Sequence, residues 1–253
     1  MGCRRGQPIA TSRANDAGGS LELTFASYNI HKAVGLDRKR DPDRIIAVLR
    51  EIDADVIALQ EVDMRVGQRA SVIPRALLDD TPWIAVPVAK RRQSLGWHGN
   101  ALLVRRSMRC LAAGALELPT LEPRGAAMAE VSRDGARFRV IGMHLDLSGF
   151  RRRDQIKAVL AHLDDLGGDV PTIMMGDFNQ WGLRSGAMGE FAEKWQVITP
   201  GASYPARRPV ARLDRLVLSR ECRVVAGGVH HSGISAQASD HLPVWARVRL
   251  PKK

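Results

Sequence analysis

The sequence predicts an α/β or α+β protein with substantial β-sheet, on three observations. Seven short apolar runs rich in branched residues have the length and composition of buried strands. Two segments carry apolar residues at helical spacing. Hydrophobic residues make up 45% and charged residues 26% of the 253-residue chain, the balance of an ordinary globular protein. At about 150 residues per domain, this length allows one large domain or two small ones.

The length and the branched residues of these runs predict strands that are buried on at least one face. In chain order they cover residues 23–28, 55–59, 100–104, 137–143, 171–175, 213–218 and 242–250. The first predicted helix covers residues 41–52, where Asp41 can cap the helix and Pro42 takes its first position. The second covers residues 154–166 and stops at the pair Gly167 and Gly168.

The domain organisation is predicted to be simple. Residues 1–20, rich in Gly, Ser and Arg without periodicity, are expected to form a disordered basic tail, and residues 21–253 a single domain without a linker or repeat. No run of about 18 apolar residues indicates a transmembrane helix. The start of the chain lacks the apolar region of a secretory signal, and the three cysteines are widely spaced. These features predict a reduced, cytoplasmic monomer.

The net charge indicates the kind of partner. Lysine and arginine outnumber aspartate and glutamate by 38 to 27, which gives +11 with histidine neutral. Such an excess favours polyanions, such as nucleic acid, anionic lipid and phosphorylated metabolites. Charge by itself indicates no chemistry.

Polar side chains stand at the ends of six predicted strands, which is the most informative pattern in the sequence. They are Asn29; Gln60 and Glu61; His144 and Asp146; Asp177 and Asn179; Asp214; and Ser239, Asp240 and His241. A single polar strand end is ordinary, because strand ends meet solvent. Six together, all with carboxylate, amide, hydroxyl or imidazole groups, predict a shared site.

Strand geometry indicates which of these side chains meet. Residues two apart share a face, so Asp177 and Asn179 are expected to point together across Phe178. Gln60 and Glu61 are neighbours and point in opposite directions if extended. Only one of that pair is expected to enter the site, and we favour Glu61, because a buried carboxylate without a charged partner is costly.

The residue types in this set favour metal-assisted phosphoester hydrolysis. Carboxylates and amides without a cysteine ligand suit a hard divalent cation such as Mg²⁺ or Mn²⁺. Histidines with carboxylates available suit proton transfer, since an aspartate fixes the tautomer of an imidazole. The sequence contains no P-loop, no G-x-S-x-G and no H-E-x-x-H motif.

At these residues the chain resembles the endonuclease/exonuclease/phosphatase superfamily, and most of all its small bacterial members. The family motifs occur in order over residues 27–244: Ser27-Tyr28-Asn29-Ile30, Leu59-Gln60-Glu61-Val62, Gly99-Asn100-Ala101, His144-Leu145-Asp146, Gly176-Asp177-Phe178-Asn179, Leu213-Asp214 and Ser239-Asp240-His241. The resemblance implies a four-layered α/β sandwich, in which two packed mixed β-sheets are flanked by helices. It also implies a hydrolase that acts on phosphate esters.

The resemblance further implies roles for individual residues. Asn29, Glu61 and Asp240 are expected to surround the Mg²⁺ or Mn²⁺ ion. His241 is expected to be the base that activates water, oriented by Asp214.

The other motif residues are expected to handle the phosphate. Asp177 and Asn179 would position water and stabilise the phosphoryl oxygens, and Asp177 would share in proton transfer. His144 would bind the phosphate or protonate the leaving group. Three further residues are candidates for substrate contact: His31, Asn100 and Trp181.

The substrate stays open at this point, with nucleic acid, a phospholipid head group and a sugar phosphate or other small phosphoester as alternatives. A non-catalytic polyanion-binding domain of the same fold is the other functional class. Retention of both histidines and every expected acid argues against that class. A calcineurin-like phosphoesterase is excluded, because the chain has no early Asp-x-His and no late Gly-His-x-His.

Overall fold

The structure is a computed structural model that describes residues 19–120, 124–182, 186–191 and 194–252. Within these residues two six-stranded mixed sheets pack face to face, with helices on their outer faces. This arrangement confirms the predicted four-layered α/β sandwich. Residues 1–18, most of the predicted tail, lie outside the described residues, and Ser20 already belongs to the first strand.

The strands are numbered along the chain. They are β1 (Ser20–Asn29), β2 (Val56–Gln60), β3 (Trp83–Ala85), β4 (Ala101–Arg105), β5 (Arg109–Leu116), β6 (Gly125–Arg133), β7 (Ala136–His144), β8 (Thr172–Asp177), β9 (Trp195–Ile198), β10 (Asp214–Ser219), β11 (Arg223–Val229) and β12 (Val244–Pro251). The helices are α1 (Pro42–Ile52), α2 (Arg75–Asp79), α3 (Gly149–Leu166) and α4 (Ser235–Ala238), and short 3-10 turns cover His31–Ala33 and Gly186–Phe191.

All seven predicted strands are present, as β1, β2, β4, β7, β8, β10 and β12. Five strands were missed, and β5 shows why: its sequence RCLAAGAL is rich in Ala and Gly and lacks the branched residues that indicate a strand. Strand β6 is buried along most of its length. Its alanines lie in a strand because of how the sheet packs, and the local sequence carries no signal of that packing.

Both predicted helices are confirmed, with one boundary changed. The Asp41 side chain accepts from the backbone N–H of Arg44, so it caps α1 as expected. Helix α3 begins at Gly149 and not at Asp154. In its first turn the large apolar residue Phe150 is exposed to solvent and does not continue the buried apolar stripe, so the sequence did not indicate this turn. No helix in the described ranges is long and apolar enough to cross a membrane.

The apolar residues form three layers of core. The central layer lies between the sheets, where Phe25 meets Phe138 edge-to-face with 5.7 Å between ring centroids. The second layer packs α1 against the β1 sheet, and the third packs α3 against the β7 sheet. Gly142 permits close approach of the sheets, because a Cβ there would lie 2.9 Å from the Leu102 side chain.

Two parallel strand pairs bring the polar strand ends to one edge of the sandwich. In the first sheet, whose order is β11-β12-β1-β2-β4-β3, the parallel pair β1–β2 sets Asn29 opposite Gln60. In the second, whose order is β5-β6-β7-β8-β10-β9, the parallel pair β7–β8 sets His144 opposite Asp177, and antiparallel β10 sets Asp214 opposite Asp177. His144, Asp177 and Asp214 therefore converge by strand register.

Candidate active site

Asp177, at the end of β8, is the centre of a buried polar cluster. One of its carboxylate oxygens, Oδ2, accepts from the side-chain amide of Asn29 at 3.1 Å. The other, Oδ1, accepts from the backbone N–H of Asn179 at 2.9 Å. The Nε2 atoms of His144 and His241 lie 3.5 Å and 3.7 Å from Oδ2. Residues predicted from four separate motifs are thus in contact around one carboxylate.

Asp214 holds His241 in one orientation. The Oδ2 atom of Asp214 accepts from Nδ1 of His241 at 2.8 Å and from the hydroxyl of Ser203 at 2.6 Å. The ring of Tyr204 packs against the imidazole, with 4.8 Å between centroids. Because Nδ1 carries the hydrogen bond to Asp214, the Nε2 atom faces Asp177 and is the atom available to exchange a proton.

Carboxylates raise the pKa of His241. Burial by itself lowers the pKa of this imidazole, but the charge and hydrogen bond of Asp214, together with the charges of Asp177 and Asp240, raise it to about 10. The proton on His241 is therefore stabilised by the same acids that orient the ring.

His144 has the opposite behaviour. Burial lowers its pKa to about 3, and the positive charge of Arg124 acts in the same direction, against the opposing charge of Asp177. Nη1 of Arg124 is in close contact with Nε2 of His144. His144 is thus neutral at ordinary pH, which favours the phosphate-binding role among the two predicted for it.

We expect His144→Asn to weaken the acid dependence of folding stability. The pKa is about 6.5 in an unfolded chain and about 3 in the folded one. As the pH falls below 6.5, this histidine binds a proton in the unfolded chain but stays neutral in the folded chain. The free energy of unfolding therefore falls by about 1.4 kcal/mol per pH unit, or ~2 kcal/mol by pH 5. Urea unfolding near pH 7 and near pH 5 measures this loss in both proteins.

The matched control for that experiment is His231→Asn, which changes an exposed histidine. It should keep the acid dependence of the unmodified protein. Equal slopes for His144→Asn and the unmodified protein would show that His144 is not the buried neutral group we describe.

A left-handed turn at His31–Ala33 brings the side chains of His31 and Lys32 to the site. The φ angles of His31, Lys32 and Ala33 are 45°, 55° and 57°, a conformation that costs energy in non-glycine residues and that clusters at functional sites. Glu61 (57°) and Asn179 (49°) also have positive φ. The turn sets the ammonium group of Lys32 against the Glu61 carboxylate and leaves His31 beside Asp240, 3.9 Å from Nδ1 to Oδ1.

Asn29, Glu61 and Asp240 offer oxygen atoms that suit a hard divalent cation. Burial alone raises the pKa of the Glu61 carboxyl, but the hydrogen bond and charge of Lys32, with the charge of Arg65, bring the pKa below its usual value. Glu61 is therefore held ionised, as a cation ligand must be. Gln60 is fully buried and bonds to Ser27 inside the sheet, whereas Glu61 lines the cleft.

A second group of possible metal ligands lies deeper. One ligand atom from each of Asp177, Asp214 and His241 lies within 4.8 Å of the others. In this group the imidazole is already bonded to Asp214, which suits proton transfer. Asn29, Glu61 and Asp240 offer only oxygen ligands, which Mg²⁺ and Mn²⁺ prefer over nitrogen.

Four of the ten residues that line the cleft in front of these residues are lysine or arginine, against two carboxylates. Its lining comprises Lys32, Glu61, Asp63, Met64, Arg65, Arg69, His98, Gly99, Arg124 and His144. Positive charge in a cleft concentrates anions such as phosphate esters. Sequence reasoning missed Arg65 and Arg124, since an arginine in a loop or before a strand is ordinary and only the fold sets them beside His144.

The three residues predicted to contact substrate occupy different environments. His31 is partly exposed beside Asp240, and Trp181 is 67% exposed on the loop after Asn179. Asn100 is fully buried, and its amide donates to the carbonyl of Gly125 at 3.0 Å. Its side chain supports the cleft wall at Gly99 and does not line the cleft.

Comparison with known proteins agrees with this geometry. Residues 26–241, nearly the whole described domain, match the model of the Endonuclease/Exonuclease/phosphatase family. The chain belongs to this family. Family membership and fold indicate a phosphoesterase-type hydrolase, and the family typically uses divalent metals.

Individual relatives are distant. The chain is 24% identical over 241 residues to the uncharacterized protein YbhP of Escherichia coli K12, covering 88% of this chain and 95% of YbhP. D. rerio TDP2 complexed with a single-strand DNA product has a TM-score of 0.69 at 16% identity, covering 90% of this chain and 98% of TDP2. The mannosyl-6-phosphatase Bt3783 of Bacteroides thetaiotaomicron has a TM-score of 0.68 at 19% identity, covering 89% and 99%. At these identities the solved structures establish the fold.

Proposed function

We propose that this chain is a divalent-metal-dependent phosphoesterase in which His241 activates the attacking water. The observation that carries the proposal is the buried pair of Asp214 and His241, 2.8 Å apart, facing Asp177 in front of a basic cleft. A carboxylate, an oriented imidazole and a site for anions are the groups that hydrolysis of a phosphate ester requires.

The divalent cation has a defined place in this proposal. Asn29, Glu61 and Asp240 would hold Mg²⁺ or Mn²⁺, which supplies positive charge that stabilises the phosphoryl oxygens in the transition state. Positive charge near Asp240 also lowers the pKa of His241, because it offsets part of the carboxylate charge that raises this pKa. Nε2 of His241 then becomes able to accept a proton from water.

The remaining side chains bind and orient. Asn179 is held by Asp177 through its backbone N–H and by its amide donating to the Leu145 carbonyl at 2.9 Å. The guanidinium of Arg124, in contact with the neutral His144, supplies positive charge where His144 is proposed to bind the phosphate. Fixed positive charge of this kind stabilises negative charge as it develops on the phosphate.

Hydrolysis of bis(p-nitrophenyl) phosphate with Mg²⁺ or Mn²⁺ tests the proposal, because this soluble diester requires no substrate-specific contacts. We expect EDTA to abolish product formation and added metal to restore it. Glu61→Gln is expected to raise the metal concentration needed for half-maximal activity by about tenfold or more. Glu117→Gln, at an exposed glutamate paired with Lys90, should leave that concentration unchanged.

Activity that survives EDTA would contradict metal dependence, and binding of polyanions without any hydrolysis would favour the non-catalytic alternative. A panel of DNA, RNA, phospholipid and sugar phosphates, with Asn179→Ala as the control, then identifies the substrate class.

A further inference from the structure

The five most exposed large apolar side chains of the described residues lie on segments next to the candidate active site, four on loops and one in the first turn of α3. They are Val66 (85%), Phe150 (84%), Trp181 (67%), Leu147 (65%) and Val210 (65%), which we call the apolar rim. The other exposed large apolar side chains, among them Ile84, Leu111 and Leu166, are only 37–46% exposed. Exposure of large apolar groups is therefore concentrated around the site, and such concentrations mark interaction surfaces.

One side of the rim is held together by Arg152. Its guanidinium donates to the carbonyl of Leu147 at 2.6 Å and to the side chain of Gln180 at 3.2 Å. Leu147 and Phe150 flank the start of α3, and Trp181 follows Gln180. Leu147 on the loop before α3, Phe150 in the first turn of α3 and Trp181 on the loop after Asn179 therefore stand on adjoining segments.

The other rim residues lie on two further loops of the site. Val66 follows Arg65, which lines the cleft and whose charge acts on His144. Val210 donates its backbone N–H to the carbonyl of Tyr204 at 2.9 Å, and the Tyr204 ring packs on His241. The rim therefore borders the cleft on several sides.

Basic residues alternate with the rim. Arg65 adjoins Val66, Arg151 adjoins Phe150, and the exposed pair Arg207 and Arg208 comes shortly before Val210. The chain as a whole carries a net charge of +11. Its partner must therefore combine negative charge with an apolar layer.

We propose that the apolar rim docks this protein on the surface of an anionic phospholipid bilayer, with the cleft facing the head groups. Apolar tips inserted among acyl chains, a tryptophan at the interface and arginines among anionic head groups are the pattern of surface-bound proteins. Single-stranded nucleic acid fits less well, because base stacking needs aromatic rings and three of the five rim side chains are aliphatic.

Docking is a binding proposal and does not depend on catalysis. Use of a head group as substrate would, in addition, rest on the phosphoesterase function proposed above. Hydrolysis of the soluble diester without vesicle binding would support the phosphoesterase function and overturn the docking. Vesicle binding without hydrolysis would support the docking and overturn the phosphoesterase function.

Sedimentation with vesicles tests the docking. The full chain is mixed with vesicles of phosphatidylcholine alone or of phosphatidylcholine with phosphatidylglycerol. We expect binding to the anionic vesicles and a fall of about tenfold or more in the partition coefficient for the triple variant Val66→Ser, Phe150→Ser and Val210→Ser. The matched control is Ile84→Ser, Leu111→Ser and Leu166→Ser; Leu166 lies at the far end of α3 from Phe150, about 24 Å away at 1.5 Å per residue.

The triple variant is expected to retain hydrolysis of the soluble diester, which shows that it is folded. Equal binding by the triple variant and its control would overturn the proposal. So would failure of the unmodified protein to bind anionic vesicles, including the case in which it instead binds single-stranded oligonucleotides through these residues.

Discussion

Replacing His241 by alanine is expected to lower kcat for phosphoester hydrolysis by about 10²–10⁴-fold. The imidazole is the group placed to take a proton from water, because Nδ1 is bonded to Asp214 and Nε2 faces the cluster around Asp177. Alanine removes that acceptor while the metal ligands of the proposal remain. Steady-state kinetics with bis(p-nitrophenyl) phosphate and Mg²⁺ measures the loss, which should fall on kcat more than on KM.

Two controls separate loss of the base from loss of the fold. His231→Ala removes an exposed histidine and should leave kcat unchanged. Added imidazole is expected to restore part of the activity of His241→Ala, since the cavity left behind is bordered by Asp214 and Tyr204. A kcat within about threefold of the unmodified value would show that another group activates water.

Replacing Asp177 by asparagine is expected to lower kcat by about 10²–10³-fold, although the side chain keeps its size. Both carboxylate oxygens of Asp177 accept hydrogen bonds, from the amide of Asn29 and from the backbone N–H of Asn179. An asparagine would place its own N–H₂ donor opposite one of these two donors, where no acceptor remains. One hydrogen bond must then break in a buried site, which displaces either Asn29 or Asn179.

The Asp177→Asn variant should also be less stable by about 1–3 kcal/mol, because a buried donor loses its acceptor. Urea unfolding gives this figure, and kinetics are then compared at a temperature where both proteins are folded. Asp164→Asn, on the exposed face of α3, serves as the matched control. Full activity together with the expected loss of stability would show that Asp177 has a structural role only.

The elements of this fold that can be predicted from sequence are those whose preference for helix or strand is set by a few neighbouring residues. The run Val56–Gln60 is a strand by its apolar, branched residues alone, and α1 is marked by its cap and its stripe. Strand β5 carries no such signal, because Ala and Gly have a low intrinsic preference for strands. Its strand conformation depends on pairing with the neighbouring strand.

The same distinction applies to the site. The polar strand ends are visible in the sequence, and alternation along a strand predicts that only one of Gln60 and Glu61 enters the site; in the structure Glu61 lines the cleft and Gln60 is buried. The inward position of Asn100 and the placing of Arg124 beside His144 are not visible there. They depend on how a loop and a strand pack against other parts of the chain.

The ordered motifs of the sequence indicate the family and, through that resemblance, the four-layered fold, and they mark the polar residues at the strand ends. The three-dimensional structure shows which of these residues meet, as Asn29 and Asp177 do across 148 positions of the chain, and which apolar side chains remain exposed around them. The difference lies in how far apart in the chain the interacting residues are. Strand and cap preferences are set by neighbouring residues, whereas contacts between distant side chains are set by sheet register and by the packing of one sheet on the other.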